Sequence, residues 1–499
     1  MIKIVTRVPI NFFFALFLIT GLSQIFVSAS ESLAGKGKLN ILLIIADDLN
    51  AHVGPSGYSA IKTPALDKFA NGALTFRRAY VQYPVCGSSR ASFLSGMYPE
   101  TTGIFDNSTK LHETRPGMIT MAEFFRQRGY WTGVANKIYH RPDFIPEGAT
   151  DANHLFENDH LPVLDAMANE FERRFGKPAE GKEFIDYSLK HATQVHDLES
   201  VGYGPSGLED QQHRDGKGAD LVMKWIEERP DDKPFFIAWG LAKPHVPFLA
   251  PDKYFAMYPQ AELPELVEPA DHYDFIPAIA NQVRYIGFGF TGLKNQDDAQ
   301  RRRYMQAYHA CISFVDAQIG RVLDLVKSQG LWDNTIVIFS SDHGYHLGEH
   351  GLWAKFTLFE ECARVPMVVH VPGLTPKGET SQGLVELVDL FPTLTELSGF
   401  EDPANFQGES LVKLLKDPSG PGKEAAYTVM KRGQKLGRAI RTQRWHYADW
   451  DGSGEQLYDL EKDPKEYRNL VDDFQHRETL NDMRALLQKI RNKASGNTS

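Results

Sequence analysis

Apolar residues along the chain gather in short, nearly unbroken runs, separated by stretches with helical spacing. The first run, Leu39–Ala46, is aliphatic apart from Asn40. That length and composition predict a strand buried on both faces of a parallel sheet. Ala73–Val81, Tyr130–Ala135, Phe235–Gly240, Thr335–Ser340 and Pro366–Val371 read as further strands. Between them, Leu66–Ala70, Met118–Gln127, Asp220–Glu228 and Arg301–Gly330 carry apolar residues at helical spacing, and Leu384–Leu397 predicts another helix. In Arg301–Gly330, Tyr308, Cys311, Phe314, Val315, Ile319, Val322, Leu323 and Val326 form one broad apolar face, which assigns Cys311 to core packing. This alternation predicts an α/β fold, a largely parallel sheet with helices on both faces.

Two stretches lack such a pattern. Asp143–Asp215 is polar and irregular, and Ala250–Ala299 is a long aperiodic insertion of the kind that usually carries function. After Gly399 charged segments take over, with strand candidates at Ala439–Arg441 and His446–Ala448 and a polar helix at His476–Lys493, so residues 400–499 read as a smaller α+β subdomain. At the other end, Lys3 and Arg7 precede the apolar run Phe12–Val27 and the small residues Ser28-Ala29-Ser30. That order predicts a signal peptide over residues 1–29 and export to the periplasm or beyond, leaving a main domain over 30–399. The competing reading is an uncleaved anchor, for which the run falls short of ~20 residues.

Without Lys3 and Arg7 the 54 basic residues become 52 against 64 acidic ones, and the net charge moves from −10 to −12. An acidic body argues against nucleic acid or an anionic membrane as partner. An anionic substrate would have to meet a local basic pocket. The three cysteines, Cys86, Cys311 and Cys362, are too few for a disulfide framework.

The chemistry lies just past the strands. Asp47 and Asp48 follow the first, Cys86 the second, Lys137 and His140 the third, Lys243 and His245 the fourth, and Asp342 and His343 the fifth. Ligands of open α/β sheets bind outside the carboxyl ends of the strands, so these five ends would converge on one cleft. Asp47, Asp48 and Asp342 supply hard oxygens that suit Ca²⁺ or Mg²⁺ better than Zn²⁺, with His343 as ligand or support. Lys137, His140, His245 and Lys355 offer donors for a tetrahedral anion. Cys86 opens a helical segment, where a helix N-terminus favours negative charge, and Arg90 follows it. Taken singly, the aspartates read as caps, each lysine as a solvated surface group, each histidine as a satisfied hydrogen-bonder and the cysteine as a buried thiol.

Cys86-x-Ser88-x-Arg90, trailed by Leu94-Ser95-Gly96, resembles the signature of the type I sulfatases, with Ser88 where that family usually has proline. Leu42–Asp48, Gly133–His140, Lys243–Phe248, Ser340–Lys355 and Leu457-Tyr458-Asp459-Leu460 with Asp463-Pro464 extend the resemblance over nearly the whole chain. Within the family it is most similar to the iduronate-2-sulfatase branch and its bacterial glycan-sulfatase relatives, through Lys137-x-x-His140, Lys243-Pro244-His245-Val246-Pro247-Phe248 and Asp342-His343.

The resemblance implies an alkaline-phosphatase-like fold, with a large mixed, mostly parallel sheet, and exo-hydrolysis of a sulfate ester on a saccharide. It implies that a maturation enzyme converts Cys86 to formylglycine, and that Asp47, Asp48, Asp342, His343 and residue 86 hold one Ca²⁺. Arg90 and Lys137 would orient the aldehyde hydrate, His245 or Lys355 would protonate the departing sugar oxygen, and His140 would take a proton so that sulfate can leave. The alternatives are a phosphate mono- or diester hydrolase on the same fold, or an unmatured protein that binds sulfated glycan. Substrate selection would fall to Ala250–Ala299 and to Lys431, Arg432, Arg438, Arg441 and Trp445.

Three motifs are set aside. Gly287–Gly292 matches GxGxxG but lacks the acidic residue of a dinucleotide site. His346-Leu347-Gly348-Glu349-His350 matches an inverted zinc-protease motif, but Gly344, Gly348 and Gly351 argue against the helix it needs. Asn107-Ser108-Thr109 is a glycosylation sequon.

Overall fold

The run read first as a strand lies between two parallel neighbours, which is why every one of its residues is buried. The computed structural model describes residues 38–157, 162–180, 183, 184, 187, 203–281, 298–401 and 406–496. Its main sheet comprises β1 (Asn40–Ala46), β2 (Leu74–Tyr80), β3 (Trp131–Asn136), β4 (Ala152–His154), β5 (Phe235–Gly240), β6 (Thr335–Ser341), β7 (Arg364–His370) and β8 (Thr380–Glu386). Their spatial order is β8-β2-β7-β6-β1-β5-β3-β4. Only β7 opposes its neighbours, β2 and β6; the remaining pairs are parallel. Reversal at β7 on both sides leaves the other strands pointing one way. The carboxyl ends at Ala46, Tyr80, Asn136, Gly240 and Ser341 therefore share one edge.

Side-chain alternation along β1 splits the core between the two faces. Leu42, Ile44 and Ala46 pack with the helices α3 (Arg214–Glu228) and α4 (Asp298–Ser328), where Cys311 is a core residue as predicted. On the opposite face, α2 (Met121–Gln127) stacks Phe125 on Phe236 of β5, while Phe124 meets Phe391 of α5 (Leu390–Leu397) edge-on. α1 (Cys86–Ser95) is buried along its entire length.

A second sheet is antiparallel throughout: β9 (Ala426–Arg432), β10 (Lys435–Arg441), β11 (Trp445–Asp449) and β12 (Glu455–Asp459) pair in sequence order. Leu480, Met483 and Leu487 of α6 (Arg477–Ala494) join its core, which also takes in Tyr83 and Val85 just before α1 and Leu358 and Phe359.

Two expectations need correction. Leu384–Glu386 continue β8 beside β2, and the helix begins only at Leu390; a short apolar run fits a strand as well as a helix, and pairing decided between them. The stretch read as irregular, Asp143–Asp215, holds a helix at Pro162–Phe175. The leader at residues 1–29 and the Gly287–Gly292 motif lie outside the described residues. Among the described residues no helix is long and apolar enough to cross a membrane.

Candidate active site

Cys86 is the first residue of α1 and has no exposed surface. Its helix is seated through Gly87, whose N–H donates to Asn107 Oδ1 at 2.7 Å. A Cβ at position 87 would stand 2.6 Å from the Asp106 carbonyl oxygen and 2.9 Å from Asn107 Cα, so the backbone itself excludes a side chain. Gly87→Ala is therefore expected to destabilise the protein by about 1–3 kcal/mol, measurable by denaturant unfolding, because the obstructing atoms are main chain. The sequon asparagine thus serves the helix that carries Cys86.

Asp47 and Asp48 leave β1 side by side. Asp48 adopts a left-handed φ of 65°, a conformation that costs a non-glycine residue roughly 1–3 kcal/mol unless its surroundings fix it. Here they do. Its N–H donates to Asp342 Oδ1 at 3.1 Å, and its carbonyl accepts the Tyr308 hydroxyl at 2.7 Å. The Asp48 Oδ1 then lies 3.4 Å from His343 Nε2 and 3.9 Å from Cys86 Sγ, and Cys86 Sγ is 3.3 Å from His343 Nε2. One ligand atom each from Asp47, Asp48, Cys86 and His343 lies within 4.8 Å of the other three.

The donor chemistry of this cluster fits a hard divalent cation. Asp47 Oδ1 and Asp48 Oδ2 are buried and accept no hydrogen bond among the described residues. His343 Nδ1 donates to the Gly344 carbonyl at 3.0 Å and so turns Nε2 toward the cluster. There, against the lowering effect of burial, Asp342 and Cys86 raise the ring's pKa to about 9; an ion bound there would take the place of the Nε2 proton. Converging lone pairs of this kind repel one another unless a cation stands among them.

Asp342, predicted in the same set, sits beside the four. Its Oδ1 accepts the N–H groups of Asp48 and His343, at 3.1 and 2.9 Å, and its Oδ2 accepts Arg90 Nε at 2.9 Å and lies 3.8 Å from His343 Nε2. Burial pushes the Asp342 carboxyl up to about 7 against the pull of Arg90. The Arg90 guanidinium is wholly interior. Its Nη1 donates to the carbonyls of Lys137 and Ile138 while Nη2 lies 3.5 Å from Asp47 Oδ1, so it clamps the loops after β1, β3 and β6 together.

The other predicted groups surround Cys86. Lys355 Nζ donates to Asp48 Oδ1 at 2.6 Å and to Cys86 Sγ at 3.1 Å, and Lys137 Nζ bonds Asp47 Oδ2. Burial alone pushes the Cys86 thiol up, but Lys137, Lys355 and His343 outweigh it and hold it well below the ordinary thiol range. His140 is half-buried beside Cys86, and burial lowers its pKa. His245 stands at the open side, 30% exposed, with Nδ1 on the Val246 carbonyl at 2.6 Å and Nε2 3.9 Å from Asp48 Oδ2. All ten predicted site residues thus gather at one sheet edge.

Lys243, at the same strand end, instead ties its Nζ to the Pro247 carbonyl at 2.6 Å and braces the loop bearing His245. Of the C-terminal candidates for substrate selection, Arg432 and Arg441 are buried braces. They bond the Phe356 and Leu358 carbonyls, and Arg441 also pairs with Glu360. Arg438 is engaged by Glu100 at 3.1 Å. Arg432 and Arg441 thus fix the segment after Lys355, whereas Lys431 stays exposed and Trp445 half-exposed.

Sequence reasoning passed over Ser89, whose Oγ donates to the Asp342 carbonyl at 2.5 Å, and Tyr308, which supports Asp48. Ser89 lay within the quoted signature. Tyr308 carried no signal beyond its place on an apolar helix face.

The sequence profile of the Sulfatase family matches residues 39–400, and that of the C-terminal part of N-sulphoglucosamine sulphohydrolase matches residues 348–493. The chain belongs to the sulfatase family. This sulfatase is a sulfuric ester hydrolase. A sulfatase of Formosa agariphila is 30% identical over 462 residues, covering 91% of this chain and 87% of its own length. Mouse iduronate 2-sulfatase is 27% identical over 548 residues, covering 92% and 95%. Among solved structures, the phosphonate monoester hydrolase of Agrobacterium radiobacter superposes with a TM-score of 0.76 at 22% identity, covering 92% and 96%, which shows the shared alkaline-phosphatase-like fold.

Proposed function

We propose that this sulfatase removes a sulfate ester from the end of a sulfated saccharide, with Cys86 converted to formylglycine and one Ca²⁺ held by Asp47, Asp48, His343 and residue 86, completed by Asp342. The observation that carries the reading is the place of Cys86 Sγ, inside the four-residue ligand cluster and 3.1 Å from the Lys355 ammonium. The likeness to mouse iduronate 2-sulfatase supports a saccharide substrate. Export through the leader, to the periplasm or beyond, belongs to the same proposal.

The hydrated aldehyde supplies a nucleophilic oxygen on a carbon that carries a second hydroxyl, so the nucleophile can regenerate itself where an ordinary alcohol cannot. The cation adds charge for the sulfate oxygens, and an oxygen-rich donor set favours calcium. Around them, Lys137 and Lys355 place ammonium groups where negative charge collects on sulfate in the transition state. The two histidines divide the proton work. His245, exposed at the mouth, meets the departing sugar oxygen as acid, with Lys355 as the second donor. His140, kept neutral by burial, accepts the proton that frees sulfate.

The test is the mass of the tryptic peptide Ala79–Arg90 from active protein, followed by assays on sulfated saccharides and matched phosphate esters. A peptide lighter than the thiol form and reactive towards a carbonyl probe, with sulfate released faster than phosphate, is expected. An unmodified thiol in active protein, or faster phosphate release, favours the phosphoesterase reading. An inert thiol form that binds sulfated glycan leaves only a binding role.

A further inference from the structure

Away from the catalytic cluster, the chain buries a histidine that takes no part in the chemistry proposed above. His350 has no exposed surface, and neither ring nitrogen has a hydrogen-bond partner among the described residues. Its backbone takes a left-handed φ of 57°, and its ring stacks on Phe359 with centroids 4.1 Å apart. His272 faces it at 5.6 Å between ring centroids and is 1% exposed. The His272 Nδ1 donates to the Pro269 carbonyl at 2.8 Å, so Nε2 presents a bare lone pair, again with no hydrogen-bond partner. Glu268 accepts the His350 N–H at 2.7 Å and brings the same oxygen to 3.8 Å from His272 Nε2.

Leaving buried acceptors unsatisfied is costly, and proteins rarely gather several of them without a cation. Burial lowers the His350 pKa to about 3, which keeps its ring in the neutral form that a metal ion needs. We infer that His272, His350 and Glu268 form a second metal site that takes Zn²⁺, distinct from the catalytic cluster. One ligand atom from each lies within 4.8 Å of the other two. Zn²⁺ bonds of ~2.0–2.1 Å place tetrahedral neighbours about 3.4 Å apart, so the 3.8 Å between His272 and Glu268 needs little adjustment. Two imidazoles and one carboxylate are zinc donors, and a backbone carbonyl on the far nitrogen is the usual support for such a histidine.

Two neighbouring carboxylates differ in availability. Glu361 Oε2 lies 3.9 Å from His350 Nε2, buried and without a hydrogen bond among the described residues, but it converges with His350 and Glu466 rather than with His272 and Glu268. Glu466 is committed to His446 and to the Glu360 N–H. The motif His346–His350 contributes only its last residue, because His346 Nε2 bonds Thr357 Oγ1 and Glu349 accepts the Leu347 N–H. Glu268 and His272 come from the insertion, while His350 lies on the segment that runs on to Lys355. Tyr467 lies against both histidine rings. The ion would therefore pin the insertion to the loop carrying a catalytic lysine.

The test uses full-length Cys86→Ser protein, in which the Cys86 thiolate cannot compete for zinc. After chelator treatment, with Ca²⁺ in excess, Zn²⁺ is titrated against a chromophoric chelator. One tightly held equivalent is expected, and it is expected to vanish when His350→Gln or His272→Gln is added. Absence of that equivalent, or its survival in both histidine variants, overturns the site. Should the variants not fold, zinc-edge anomalous scattering from crystals of the unaltered protein soaked in Zn²⁺ decides. A peak within bonding distance of His272 Nε2 and a His350 nitrogen is expected, and no peak there overturns the inference. Neither readout depends on sulfatase turnover, so the site stands or falls apart from the proposed reaction.

Discussion

Cys86→Ala protein is expected to lose sulfate release by on the order of 10⁴–10⁶-fold, the scale on which loss of a nucleophile is felt. The surroundings explain why the loss falls on turnover and spares binding. Lys137, Lys355, Arg90 and the aspartates remain bonded to one another, so the charge that receives a sulfate group survives the substitution. Affinity for a sulfated saccharide, measured by calorimetry, is expected to change little, and the thermal midpoint only slightly. Cys86→Ser is expected to be equally inactive in steady state, because serine offers one hydroxyl and no second one to free the product. Steady turnover by either variant would remove Cys86 from the chemistry.

Stripping the divalent ion is the second large effect. Treatment with a chelator is expected to lower activity by about 10³-fold, in line with the several kcal/mol that a bound cation contributes to transition-state charge. Added Ca²⁺ is expected to restore it, and Asp48→Asn is expected to mimic the loss without rescue. The fold is expected to outlast the ion. Asp47 and Asp48 keep the ammonium groups of Lys137 and Lys355 as neighbours when no cation is bound. Activity and thermal midpoint, followed together during chelation, should therefore part company. A collapse of the midpoint in step with activity would make the cation structural.

Legibility in the sequence followed burial. β1 was readable because both of its faces are covered, which leaves an aliphatic run with little ambiguity. The site was readable because its residues follow strand ends, and a parallel sheet carries those ends to one edge. What pairing decides stayed hidden, as in the reversal of β7 and the continuation of β8 through Leu384–Glu386. Buried charge was hidden too. Arg441 was read as a candidate for substrate selection, and its distant partners, Glu360 and the Leu358 carbonyl, explain an arginine with no exposed surface. The meeting of His272 with His350 had no local pattern at all.

The enclosure of Cys86 also sets an order of events in biogenesis. The side chain has no exposed surface and sits on a helix whose second residue is wedged against the main chain of Asp106 and Asn107. Under the proposed conversion to formylglycine, a maturation enzyme would need that side chain in its own active site, and the finished fold buries it. Conversion would then precede folding, and a chain that folds first would be trapped as the thiol. The active fraction obtained from any host would report a race between two rates rather than the stability of the product. Slowing the folding of the nascent chain would raise it, and adding more maturation enzyme to folded protein would not.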